Sequence, residues 1–190
     1  MTRIIGGSAG GRRLRTPPGE STRPTSDRVR EALFSALESQ LGSLTGLRFL
    51  DLYAGSGAVG LEARSRGAGA VTAVESDRRT SRLVAANAAS LGFEDVEVHA
   101  RPVARVLASR PVAPYDVVFA DPPYPLENAA VEEALRMLLR HEWVGAGSLV
   151  VVERSTRTAE PSWPEGLVRL REKAYGETVL WYVRADSPAE

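Results

Sequence analysis

The sequence has no cysteine, a single lysine and only two histidines among its 190 residues. Without cysteine there is no disulfide, no thiolate metal site and no cysteine nucleophile, so a reducing compartment is permitted and cytosine C5-methylation through a cysteine adduct is disfavoured. His99 falls in a strand-like run and His141 at a helix end; neither has carboxylates at metal-ligand spacing, and no metal site is indicated. No apolar run approaches the roughly 20 residues of a membrane span, and Met1–Arg15 lacks the apolar core of a signal peptide. The expectation is a soluble, cytoplasmic protein without a membrane partner. Excess charge is missing too, since 24 basic and 24 acidic residues cancel.

What is present is globular composition, 43% hydrophobic and 25% charged, which suits one domain with a small appendage. The charge is uneven along the chain. Arg3, Arg12, Arg13, Arg15, Arg23, Arg28 and Arg30 are opposed only by Glu20 and Asp27 before position 31, so this end is suited to meet phosphate. Lys173 is the only lysine, and the planar fork of arginine matches phosphate and base edges. A GC-rich genome would write arginine for lysine equally well, but it would not cluster the charges at one end.

Residues 1–24, rich in Gly, Arg and Pro, predict an extended basic arm or hairpin ahead of a domain over 25–190. Residues 27–41 carry Val29, Leu33, Phe34, Leu37 and Leu41 at helical spacing, with Thr25 and Ser26 as N-caps and Gly42 beyond the end. Strand-like runs follow at Arg48–Ala54, Ala70–Ser76, Val96–Ala100, Tyr115–Asp121 and Ser148–Glu153, separated by helical stretches near 58–66, 77–91, 102–109 and 127–140. This alternation predicts a Rossmann-like α/β fold, a mostly parallel sheet with helices on both faces. Leu167–Lys173 and Thr178–Val183 flank a turn and predict a closing hairpin that makes the sheet mixed.

Asp51-Leu52-Tyr53-Ala54-Gly55-Ser56-Gly57-Ala58-Val59-Gly60 leaves the first strand of the alternating region and opens a helix, where glycines let a backbone approach a ligand. Glu75 ends the next strand, 18 residues after Gly57, with Ser76 beside it, and is placed to accept hydrogen bonds from a ribose diol. Two adenosine ligands compete. A dinucleotide brings an anionic pyrophosphate, which Asp51 would repel; S-adenosylmethionine brings a sulfonium and an ammonium, which Asp51 would attract. The loop therefore favours the methyl donor.

The run Tyr115–Asp121 ends in Pro122, Pro123 and Tyr124. Open α/β sheets bind ligands beyond the carboxyl ends of their strands, so this turn should face the same crevice as the glycine loop. Two prolines stiffen it and remove donors, which leaves carbonyls and the Asp121 carboxylate as acceptors. A planar exocyclic amine needs such a site: Asp121 and the Pro122 carbonyl accept its N–H bonds and aim its lone pair, while Tyr124 stacks on the ring.

In these segments the chain resembles the RsmD family of 16S rRNA guanine-N2 methyltransferases, within the class I fold. The resemblance rests on Arg3-Ile4-Ile5-Gly6-Gly7, on Thr22-Arg23-Pro24-Thr25-Ser26-Asp27 running on to Phe34, on Asp51–Gly60 continuing into Leu61-Glu62-Ala63, on Asp121–Tyr124 and on Tyr175-Gly176-Glu177-Thr178. It covers nearly the whole chain. It implies S-adenosylmethionine as cofactor, with the methionyl part along Asp51, Tyr53, Ala54, Gly55, Ser56 and Gly57, the ribose on Glu75, and the target amine at Asp121, Pro122, Pro123 and Tyr124. It also implies that Arg23, Thr25 and Asp27 lie near the donor or the RNA, where Arg12, Arg13 and Arg15 of the arm would join them. The implied partner is 16S rRNA, in the small ribosomal subunit or an assembly intermediate, and the implied state is a monomer. After the third strand of the alternating region many relatives carry Asp or Asn for the adenine amino group; here Pro102 occupies that stretch and leaves the adenine to backbone groups or packing. The motifs alone leave open adenine-N6 or cytosine-N4 methylation of DNA, a dinucleotide-dependent oxidoreductase, and a non-catalytic RNA-binding module.

Overall fold

The structure is a computed structural model and describes residues 2–18 and 26–186. It opens with β1 (Thr2–Arg3), a 3-10 turn (Gly7–Ala9) and β2 (Arg13–Leu14), followed by α1 (Asp27–Leu41). The alternating region comprises β3 (Arg48–Leu52), α2 (Ala58–Ser65), β4 (Ala70–Val74), α3 (Arg78–Ser90), β5 (Glu97–His99), α4 (Val103–Leu107), β6 (Tyr115–Ala120), α5 (Asn128–Arg140) and β7 (Val144–Ser155). The chain closes with β8 (Leu167–Tyr175) and β9 (Thr178–Ala185).

Seven strands form one sheet in the order β5-β4-β3-β6-β7-β9-β8. The first five are parallel, and β9 runs antiparallel to both β7 and β8. This is the expected mixed sheet with its closing hairpin. From β3 the chain steps outward to β4 and β5, then returns to lay β6 on the other side of β3. The topological switch point therefore falls between β3 and β6, where open sheets leave a crevice for ligands.

Both faces are covered, as the near-continuous apolar strands require. Leu50, Leu52, Val118, Ala120, Val150 and Val152 pack on α4 and α5 through Val103, Val106, Leu107, Val131, Leu135 and Leu138. Phe49, Val117, Phe119, Leu149 and Val151 point the other way, onto Val29, Leu33, Phe34 and Leu37 of α1 and Val59 and Ala63 of α2. The start of α1 follows from its cap: Ser26 Oγ accepts the Val29 N–H at 3.2 Å. Thr25, the other expected cap, lies outside the described residues. A third cluster joins Ile4, Ala9 and Leu14 of the N-terminal hairpin to Ala58 and Leu61 of α2, Ala88 of α3, and Leu91 and Phe93 just beyond it.

Boundaries agree with expectation to within two residues except at one strand start. Strand β7 begins at Val144 and not at Ser148. The register slips between Tyr115 and Val117, and the extra residues Gly145–Gly147 are taken up where Ser148 Oγ donates to the Tyr115 carbonyl and accepts from Gly145 N. Two glycines hid this bulged start of the strand.

Candidate active site

The glycine loop leaves β3 at Leu52 and enters α2 at Ala58. Tyr53 takes a left-handed φ of 58°, and Gly57, the N-cap of α2, has φ 83°. A Cβ on Gly57 would stand 2.8 Å from Val84 Cγ1 of α3, so glycine is what lets this turn press against the neighbouring helix. Asp51 is 2% exposed and its Oδ2 accepts the Gly60 N–H at 2.9 Å. Burial pushes its carboxyl from 3.8 to about 8, opposed by the Gly60 hydrogen bond and reinforced by Glu75. Asp51, expected to face a cationic ligand, therefore lies beneath the loop and is bonded to the backbone of α2.

Glu75 is held at the rim. Its Oε1 accepts from Gly55 N at 3.0 Å and its Oε2 from Asp77 N at 2.8 Å. Each carboxylate oxygen has a second lone pair for a hydroxyl of a ligand. Ser76 beside it is exposed, and Asp77 caps α3 through Thr80 N at 2.8 Å.

Across the switch point, β6 delivers the second motif. Asp121 N donates to the Leu52 carbonyl at 3.4 Å, which ties the two motifs at the level of the backbone. Pro122 is buried and Pro123 exposed, and the Tyr124 side chain stands out at 80% exposure, available as a stacking surface. Burial pushes the Asp121 carboxyl well above the usual carboxylate range; Glu153 and Asp51 add to the shift, and Arg154 opposes it. The loop after Tyr124 is pinned from below, where Arg154 Nη2 donates to the Leu126 carbonyl at 2.7 Å and Leu126 N donates to the Pro123 carbonyl at 2.9 Å.

The arm residues are brought near the glycine loop by α3. Asn87, 2% exposed, accepts from Arg15 N and donates to the carbonyls of both Arg15 and Ser56. Arg12 Nη2 donates to the Ser90 carbonyl at 2.6 Å, while Arg13 and Arg15 are exposed. An open groove of about 630 Å³ runs between Arg12–Arg15 and the Asn87 and Ser90 side of α3. Asp27 sits elsewhere, at the start of α1, where its carboxylate accepts from Arg3 Nε at 3.2 Å and Arg30 Nη2 at 3.1 Å. Arg23 lies outside the described residues, as does Thr25.

The model of the family described as Conserved hypothetical protein 95 matches residues 2–184. The chain belongs to this family. It is 35% identical over 188 residues to Ribosomal RNA small subunit methyltransferase D of Escherichia coli strain K12, covering 99% of this chain and 92% of that protein. The protein of the same name from Haemophilus influenzae is 36% identical over 178 residues, 92% of this chain and 89% of the relative. The solved structure of Escherichia coli yhhF superposes with a TM-score of 0.87 at 33% identity, covering 98% and 99% of the two chains. The resemblance carried by the sequence motifs is borne out over almost the whole length.

Several residues that hold these segments in place have roles that their motifs do not show. Glu62 is fully buried on α2, accepts from Ile5 N at 2.9 Å and Gly6 N at 3.1 Å, and pairs with Arg66. It fixes the hairpin. Arg30 donates to the Arg3 carbonyl from the α1 side. Asn87 and Arg154 hold the arm and the loop after Tyr124 in the same way. A buried-polar signal exists for Asn87, since asparagine is a poor choice within the alanine-rich interior of α3.

Proposed function

We propose that the chain transfers a methyl group from S-adenosylmethionine to the exocyclic N2 of a guanine in small-subunit ribosomal RNA, as a cytoplasmic monomer acting on the subunit or an assembly intermediate. The carrying observation is the switch point, where the glycine loop after β3 and the Asp-Pro-Pro-Tyr turn after β6 leave adjacent parallel strands. Family membership with the rRNA small subunit methyltransferases D supports the same reading.

The residues fit the donor's chemistry. A Cβ on Gly55 would meet nothing within 4 Å, so the loop presents open space, with Glu75 at its rim, Asp121 across the switch point and Asp51 beneath. The Glu75 carboxylate at the rim disfavours an anionic pyrophosphate, and a cationic donor would in turn favour the ionised forms of Asp51 and Asp121, whose proton affinity burial raises. When bound, the donor supplies an electrophilic methyl carbon. Glu75 would hold the ribose hydroxyls and the loop backbone the methionyl part. Asp121 and the Pro122 carbonyl accept the two N–H bonds of the target amine and strengthen their hold as positive charge develops on nitrogen. Tyr124 stacks on the splayed base, and the arm over residues 1–24 binds phosphate through Arg12, Arg13 and Arg15, with Arg23 beyond.

The test is labelled methyl transfer to naked rRNA, small subunits and duplex DNA, followed by nucleoside analysis. N2-methylguanosine in the RNA arms is expected. Asp121→Ala should lower the single-turnover rate by about 10²-fold or more with donor and RNA binding nearly intact. Label found only in DNA adenine or cytosine would replace the substrate, and a wild-type rate in Asp121→Ala would remove the site.

A further inference from the structure

Asp121 has charged neighbours of both signs on the adjoining strand. Ala120 of β6 lies opposite Val152 of β7, so the next rung sets Asp121 beside Glu153. Side chains alternate along a strand, and Phe119 and Val151 share the α1 face, which is therefore the face of Asp121 and Glu153. The pairing of β7 with β9 agrees, since Glu153 faces Leu180 of that same layer and Arg154 faces Val179 of the opposite one. Arg154 follows Val150 and Val152 onto the α5 face, where it is 7% exposed and bonded to the Leu126 carbonyl. Two consecutive residues thus bracket Asp121, an acid on its own face and a guanidinium beneath its loop.

Methyl transfer creates a proton that must leave. The nitrogen lone pair forms the new N–C bond as the C–S pair goes to sulfur, and the methylated amine is left with one proton more than its neutral form. We propose that this proton passes to the Asp121 carboxylate and then to water in the crevice, and that Glu153 and Arg154 are positioning residues that poise Asp121 for the step. The assignment rests on the function proposed above. Burial and the neighbouring Glu153 raise the proton affinity of Asp121, which suits it to take a proton from the amine, and Arg154 opposes that rise. Among the described residues, Asp51 from β3, Glu75 through Asp51, and Tyr53 through Arg154 also act on this group.

Single-turnover methylation of rRNA at saturating donor, followed from about pH 5 to pH 9, tests this in the wild type, Glu153→Gln, Arg154→Met and Arg154→Lys. The wild-type rate should rise with pH along one acid limb. Glu153→Gln removes a like charge, lowers the proton affinity of Asp121 and should move that limb down by roughly one pH unit; Arg154→Met should move it up by a similar amount, and Arg154→Lys should keep it near the wild type. A purely structural role lowers the rate without moving the limb. Limbs that coincide in Glu153→Gln and wild type, or that move in the same direction in Glu153→Gln and Arg154→Met, overturn the proposal while leaving the methyltransferase function standing. A wild-type protein that methylates no RNA overturns the function and the proton assignment together. Donor calorimetry and circular dichroism on each variant establish that the fold is intact, and should Arg154→Met fail to fold, Glu153→Gln alone decides.

Discussion

Asn87 grips the backbone of Arg15 on both sides, accepting from its N–H at 2.9 Å and donating to its carbonyl at 3.0 Å, and with the same amide nitrogen it reaches the Ser56 carbonyl at 3.0 Å. One buried side chain thereby stitches the basic arm to the glycine loop. Asn87→Ala leaves these backbone groups without their partner and should cost about 1–3 kcal/mol in urea unfolding. RNA affinity should fall although no charge is lost. An RNA dissociation constant equal to that of the wild type would separate the arm's path from substrate binding.

Replacing Arg12, Arg13 and Arg15 together with Ala should weaken RNA binding in a different manner. Each lost phosphate contact should flatten the log–log salt dependence by roughly 0.7 to 0.9, whereas Asn87→Ala should leave that slope close to the wild-type value. Filter binding or fluorescence anisotropy at several salt concentrations reads both. An unchanged slope in the triple variant would move the RNA surface elsewhere.

Glu75→Ala should weaken S-adenosylmethionine and its demethylated product by about 1–3 kcal/mol, since ligand hydroxyls lose their acceptor and Gly55 N and Asp77 N lose theirs. Glu75→Gln, which retains one acceptor oxygen, should fall between. Calorimetry is the measurement, with NAD as the comparison ligand. NAD bound as tightly as the donor would reverse the choice of cofactor.

Asp51 predicts a pH dependence of stability. Its carboxyl is raised from 3.8 to about 8 in the fold, so the folded protein holds this proton more tightly than the unfolded chain does. The associated stability is full below the unfolded value near 3.8 and is lost as pH rises through the folded value near 8. Asp51→Asn has no proton to lose, and its unfolding free energy should decline less steeply across that window, by up to about 1.4 kcal/mol per pH unit. Unfolding at stepped pH tests this, and parallel slopes in the two proteins would mean that Asp51 is ionised where it sits.

The architecture was legible because it depends on periodicity and punctuation. The apolar runs at Arg48–Ala54 and Tyr115–Asp121 each carry an acid toward their carboxyl end and lead into a glycine-rich or rigid turn, and the structure brings both to the switch point. Side-chain direction at the strand ends was not legible. Asp51 reads as open to a ligand, yet it lies under the loop because Gly60 N–H claims it. Glu153 and Arg154 read as the end of a strand, and only the cross-strand register shows that they flank Asp121. Glu62 and Asn87 were hidden for a related reason, since their partners lie 56 or more residues away in the hairpin.

The hairpin also sets an order of events during synthesis. Ile4, Ala9 and Leu14 are buried against Ala58, Leu61, Ala88, Leu91 and Phe93, a surface made of residues translated long after them. At roughly 5–20 residues per second, a ribosome needs about 4–16 s to advance from Leu14 to Phe93. For that interval the arm has no hydrophobic seat. Docking of the arm is therefore a late step that waits for α2 and α3, and it buries Ile4, Ala9 and Leu14 while leaving Arg13 and Arg15 exposed.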